Sequence, residues 1–192
     1  MANANTPFGF RPVAMRSGSS YSGSPRLYVV PAADGTALYL GDPVKLAGTG
    51  DVTGKYPGVI QAATGDVITG VVVGFQPLAT NLELRYRAAS TLRYVWVVDD
   101  ADLMFEVQEI NSGTALTTAE VGLNANFSAG SGGSTTTGFS GFVLNNSGEA
   151  TTNTLDIKIH ALVNRENNDL GLAAKWLVSF NRHQFANQVA GI

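Results

Sequence analysis

The stretch Val67-Ile68-Thr69-Gly70-Val71-Val72-Val73-Gly74-Phe75 is β-branched and nearly all apolar. Successive strand residues face opposite sides, so apolar residues at both parities predict a strand buried on both faces. Periodicity alone also fits a buried helix, and Gly70 and Gly74 favour a strand. Residues 93–98 (Arg-Tyr-Val-Trp-Val-Val) read as a second core strand stopped by Asp99-Asp100, with residues 103–108 as the next one. Towards the N-terminus, residues 27–30 form a short strand ended by Pro31. Asp34-Gly35 and Gly41-Asp42-Pro43 mark turns around short strands at 37–40 and 44–46. Residues 82–87 alternate, with Leu82, Leu84 and Tyr86 on one face and Glu83, Arg85 and Arg87 on the other.

Towards the C-terminus, residues 111–120 are polar, with a helical turn near 117–121, and 128–138 is a low-complexity loop. Residues 141–144 are extended. Residues 155–163 form an amphipathic strand with Leu155, Ile157, Ile159, Ala161 and Val163 inward, and residues 174–180 form the last strand. Roughly ten short strands at regular spacing predict a mainly β chain, an antiparallel β-sandwich or barrel. The organisation expected is an extended N-terminal arm and tether over 1–25, a β-rich globular domain over 26–180 with a subdivision near 111–120, and an irregular C-terminal tail over 181–192.

The arm is Pro7-Phe8-Gly9-Phe10-Arg11-Pro12-Val13. Proline fixes φ and holds the preceding residue extended, so this segment is not helical. The serine-rich stretch 16–25 that follows has almost nothing apolar to bury. A hydrophobic hook on a tether suits attachment to a neighbouring subunit, with Pro7, Phe8, Phe10, Arg11 and Pro12 as contacts. The other reading is that Phe8 and Phe10 fold back onto the chain's own core as a terminal strand does. Arg85, Arg87 and Arg93, with Tyr86 and Tyr94, read either as a solvated sheet face or as a docking face for an acidic partner surface.

Of 192 residues, 44% are apolar, enough for a substantial core, and only 14% are charged. A surface so poor in charge suits packing against other protein. The net charge of −3 at pH 7 argues against nucleic acid as the main partner. No cysteine is present, so disulfides and thiolate chemistry are excluded. The first residues lack the charge and apolar core of a secretory signal, and no run approaches a membrane span, so assembly in a cytosol without membrane contact is expected.

Little in the residues suggests catalysis. His160 and His183 have no G-x-S-x-G partner motif and read as surface or interface histidines. Asp99, Asp100 and Asp102 lack calcium-loop spacing and read as turn formers. Gly130-Ser131-Gly132-Gly133-Ser134 has no following lysine and reads as a flexible loop. No enzyme activity, cofactor or metal is expected.

The segment Asn5-Thr6-Pro7-Phe8-Gly9-Phe10-Arg11-Pro12-Val13 resembles the opening of capsid decoration, or cement, proteins of tailed-bacteriophage heads. The likeness continues through Gly41-Asp42-Pro43-Val44-Lys45-Leu46, Phe105-Glu106-Val107-Gln108, Val121-Gly122-Leu123-Asn124-Ala125, Leu162-Val163-Asn164-Arg165 and His183-Gln184-Phe185, in the expected order. The resemblance implies a non-enzymatic, β-rich virion protein on the outer surface of an icosahedral head, made and assembled in the host cytoplasm. Its implied partners are the major capsid protein and further copies of itself, with a trimer favoured. The residues bear on two other functions. A carbohydrate- or host-surface-binding β-sandwich would expose Trp96 or Trp176, which both sit in apolar runs that favour the core. A hydrolase would need a second acid or base near His160 or Asp102.

Overall fold

The computed structural model describes residues 3–186. The chain is mainly β. Among the described residues the strands are β1 (Arg11–Met15), β2 (Arg26–Val30), β3 (Pro43–Gly50), β4 (Pro57–Gln61), β5 (Gly70–Phe75), β6 (Arg93–Val98), β7 (Leu103–Gln108), β8 (Asn124–Ala125), β9 (Phe127–Ser128), β10 (Val143–Leu144), β11 (Ile157–Leu162) and β12 (Lys175–Phe180). A 3-10 turn, Thr118–Glu120, sits where the sequence suggests one. Thr117 and Glu120 close a capping box on it.

Strand β5 explains the architecture. It pairs with β6 so that Val71 opposes Val98 and Val72 opposes Val97. Val72 and Val97 point into a closed five-stranded barrel of order β2-β4-β3-β5-β6. Val71 and Val98 point out of it, into a second core beneath a five-stranded sheet of order β1-β7-β12-β11-β8. One strand therefore serves two cores, and both parities of the valine run are buried as expected. The barrel interior is filled by Tyr28, Val30, Leu38, Val44, Val59 and Val95. The second core is aromatic, with Phe10, Phe105, Phe127, Phe180 and Trp176 all buried. The sheet packs on the barrel wall in a sandwich-like arrangement. A two-stranded ribbon, β9 with β10, contributes Phe127 and Leu144 to the same core.

Among the described residues the register shifts in four strand pairs, one of them between Leu46 and Gly50 where β3 meets β4. Val13 is an extra residue in β1 opposite β7, so Pro12 and Met15 both reach the core side. His160 is an extra residue in β11, which puts Leu162 opposite Trp176 on the core side and turns Ala161 away from it. The expected inward set at 155–163 is thus correct up to Ile159 and reversed beyond it. The remaining shift falls between Val72 and Gly74 in β5.

Three expectations are corrected by this architecture. Of the arm and tether expected over 1–25, the described residues 3–25 are not an arm outside the globular body, because Phe10 and β1 are built into the core and sheet. Residues 82–87 form no strand: Leu82 is 76% exposed while Arg87 is fully buried, the reverse of the alternation expected. The tail does not leave the body at 181. Ile68 donates its amide to Arg182 O and accepts one from Gln184, docking 182–184 beside the barrel. The remainder of the predicted tail, 187–192, lies outside the described residues.

Candidate docking face

The N-terminal segment runs past the 169–172 turn and the ends of β7 and β12. Asn3 accepts from the Asp169 amide and donates to carbonyls of the 169–172 turn. Thr6 donates its amide to Gln108 Oε1, Gln108 Nε2 donates to Asn5, and Lys175 Nζ donates to Ala4 O at 2.7 Å. The segment then turns at Gly9, where φ is +74° and an added Cβ would stand 2.5 Å from the Gly41 carbonyl oxygen. Only glycine fits that approach. The Phe10 amide donates to Gly41 O at 2.9 Å, and the Phe10 ring enters the core.

This turn sends the two phenylalanines in opposite directions. Phe10 is 1% exposed and cannot contact a partner from that position. Its role as an intermolecular anchor is corrected to that of a core residue. Phe8 is half-buried at the surface, with the Arg11 guanidinium 4.5 Å above its ring centroid. Pro7 and Pro12 are half-buried and Arg11 is exposed.

Two depressions meet at the Phe8–Arg11 pair. One is an apolar groove of about 270 Å³ lined by Phe8, Pro12, Tyr21, Leu40, Val73 and the exposed Phe139. The other, of about 370 Å³, is lined by Thr6, Phe8, Arg11, Arg165, Asn168 and Lys175. Glu106, opposite Arg11 in the β1–β7 register and only 1% exposed in its side chain, pairs with the two lining arginines. Arg165 donates to Glu106 Oε2 at 2.7 Å, and Arg11 stands 3.8 Å from the same oxygen. Burial lowers the Lys175 pKa, with Glu106 raising it and Arg165 lowering it in turn.

The other predicted contacts behave differently. Arg87 spends all five guanidinium donors internally, on the carbonyls of Pro31, Asp34, Thr36 and Thr91 and on the Asp34 carboxylate. Arg93 donates to the carbonyls of Gln76, Leu84 and Tyr86 and lies 5.0 Å from the Phe75 ring. Both fix loops onto the barrel, so their expected role on a docking face is corrected. Tyr86 stacks on Tyr39, and Tyr94 packs edge-on to Tyr56. Arg85 alone of the three arginines is exposed.

The residues weighed for chemistry are held in structural contacts. Asp99 accepts from the Tyr28 hydroxyl at 2.7 Å, Asp100 accepts from the Asp102 amide, and Asp102 pairs with Arg16. His160 shares a hydrogen bond with Ser179 Oγ at 2.8 Å. His183 is buried beside Phe180, and burial lowers its pKa. Among the described residues, no three His, Asp or Glu side chains gather in a metal-holding group. The glycine-rich loop is packed rather than free: an added Cβ on Gly133 would stand 2.0 Å from the Tyr39 ring. Trp176 is buried, its indole donating to Glu109 Oε2 at 2.9 Å. Trp96 is 39% exposed on the barrel wall, against the core position expected.

Sequence reasoning missed Glu106, Phe139, Arg165 and Lys175. The first lies inside an apolar strand and the others on distant segments, so strand pairing brings Glu106 and Lys175 to β1, a bridge to Leu40 brings Phe139, and the hydrogen bond to Glu106 brings Arg165. Comparison with protein families, curated proteins and solved structures finds no match for this chain.

Proposed function

We propose that this chain is a non-enzymatic decoration protein that binds the outer surface of an icosahedral tailed-phage head and bridges neighbouring capsid subunits. The observation that carries this reading is the junction of an apolar groove and a cationic pocket at Phe8 and Arg11. The same segment, residues 5–13, opens the ordered series of motifs that resembles the decoration proteins. A rigid two-core β body with a charge-poor surface supports it further.

The mechanism is linkage. A protein that binds the expanded shell and not its precursor stabilises the expanded form by mass action. Copies joined by symmetry, a trimer favoured, turn later contacts into intramolecular ones, so modest single contacts give firm retention. In place of a free arm, the attachment surface is the half-buried Phe8, the exposed Arg11 and Phe139, and the groove between them. The test is co-sedimentation of the purified full-length chain with expanded heads that lack it. Saturable binding at a fixed number of copies per head is expected, and absence of saturable binding overturns the proposal.

One observation favours a second reading, a host-surface glycan module. Trp96 is 39% exposed and lies beside Gly74, where an added Cβ would stand 3.3 Å from its ring. Binding to a glycan array that disappears in Trp96→Ala would support this reading, and an array without binding removes it.

A further inference from the structure

The docking face has an uneven charge that specifies its occupant. Three cationic side chains, Arg11, Arg165 and Lys175, line one pocket, and both arginines pair with the buried carboxylate of Glu106. Glu106 meets both arginines through Oε2 alone, and its Oε1 has no hydrogen-bond partner. Both arginines keep about half of their side chains in solvent, at 52% and 48% exposure. Lys175 uses two of its three donors on the carbonyls of Ala4 and Ala173. Glu166 and Asp169, on the same loop as Arg165, are exposed and do not line the pocket. The pocket is therefore cation-rich in a chain whose net charge is −3. Immediately across Phe8 the surface becomes apolar, through Pro12, Leu40 and Phe139.

We infer that the surface seated on this face presents a carboxylate, from an Asp or Glu side chain, next to an apolar side chain. The carboxylate enters between Arg11, Arg165 and Lys175, and the apolar group enters the groove beside Phe139. Arginine suits this role because its planar fork binds a carboxylate through two parallel hydrogen bonds. Complementary charge at such a rim sets orientation and encounter rate, while the apolar groove supplies contact area. This inference rests on the proposed function for the identity of the partner, an expanded capsid shell, and adds the chemistry of the contacted surface.

The experiment treats full-length protein bound to expanded heads with a zero-length carbodiimide, which joins a lysine amine to a carboxylate in contact. The chain has four lysines, at 45, 55, 158 and 175. The expected product is an isopeptide bond between Lys175 and an Asp or Glu of the shell. In parallel, Arg165→Gln is expected to bind heads about fivefold more weakly, the upper range for an exposed ion pair. Lys55→Gln, on the far hairpin, is expected to bind as the wild type does. Circular dichroism confirms that each variant is folded, and Arg165→Lys is expected to recover part of the loss. Shell products that exclude Lys175, or unchanged binding by folded Arg165→Gln, overturn the inference and leave the decoration reading intact. Failure of the wild-type chain to bind heads at all overturns both.

Discussion

The ring of Phe10 stands edge-on to Phe105, centroids 6.3 Å apart and planes at 89°, across the pairing of β1 with β7. Phe127 and Phe180 complete the cluster at 5.9 and 5.2 Å. Two residues earlier, Phe8 lies at the surface beneath Arg11. A single turn at Gly9 thus sends one phenylalanine into the core and leaves the other at the surface.

The two phenylalanines should separate in mutagenesis. Phe10→Ala is expected to cost about 3–5 kcal/mol, as for other fully buried aromatics. Phe8→Ala is expected to change stability by less than about 1 kcal/mol and to weaken attachment to heads. Urea denaturation measures the first and head binding the second. Removal of residues 1–13 is expected to abolish cooperative unfolding, and a truncated chain of wild-type stability would contradict the core role of Phe10.

Gly9 should resist substitution. Alanine there meets both the Gly41 carbonyl and the Ser140 side chain at 2.5–2.6 Å, at a φ of +74°. The expected loss is about 2 kcal/mol or more. Gly35→Ala meets nothing within 4 Å and serves as the comparison, with a change within about 0.5 kcal/mol. Thermal melts of the two variants check the difference.

Arg87 should be irreplaceable by lysine. Its five internal hydrogen bonds join residues 31–36 to residue 91, and a lysine offers three donors without the planar fork. Arg87→Lys is expected to lose about 3 kcal/mol, with faster hydrogen exchange at Leu38, which is bridged to residue 87. Arg85→Lys, on the surface, is expected to be neutral. Equal stability of the two variants would contradict this assignment.

Stability should also carry a pH signature from Asp42. Burial is the largest influence and raises its pKa to about 6, against lowering by Ser140, the Tyr39 amide and Gln61. Between pH 4 and 6 the folded chain holds a proton that the unfolded chain releases. The contribution is therefore fully present below about pH 4 and lost as pH rises through 6, with a span of at most about 3 kcal/mol. Asp156, also raised to about 6, acts in the same sense. His160 and His183, whose pKa values burial lowers, act in the opposite sense below their ordinary range. Comparing Asp42→Asn with the wild type isolates the first effect. The variant is expected to gain relative stability as pH is raised from 4.5 to 8, and a constant difference would contradict the burial of this carboxylate.

The β architecture was legible because its signals are local. Valines at both parities of 70–75 announced a strand with two buried faces, and the turn signal at 41–43 marked the start of its neighbour β3, whereas residues 37–40, read as a strand, make only isolated bridges at Leu38 and Leu40. What escaped was non-local. A bulge at His160 reverses a face by one residue, and nothing in the alternation of 155–163 marks it. Arg87 looked solvent-facing because an arginine in an alternating segment usually is. Only the carbonyls gathered around it make burial tolerable. The glycines at 130–133 looked flexible, yet Gly133 is where Tyr39 presses against backbone. Of the docking face, Phe8, Arg11 and Pro12 were visible in one motif. Arg165, Lys175 and Phe139 join them only through sheet pairing and loop packing.

A density map of expanded heads carrying the full-length chain tests the central proposal most directly. The account predicts ordered density on the outside of the shell, at a junction between capsid subunits, with Phe8, Arg11 and Phe139 turned towards the shell. Heads without external density, or density in which that face points to solvent, would contradict it.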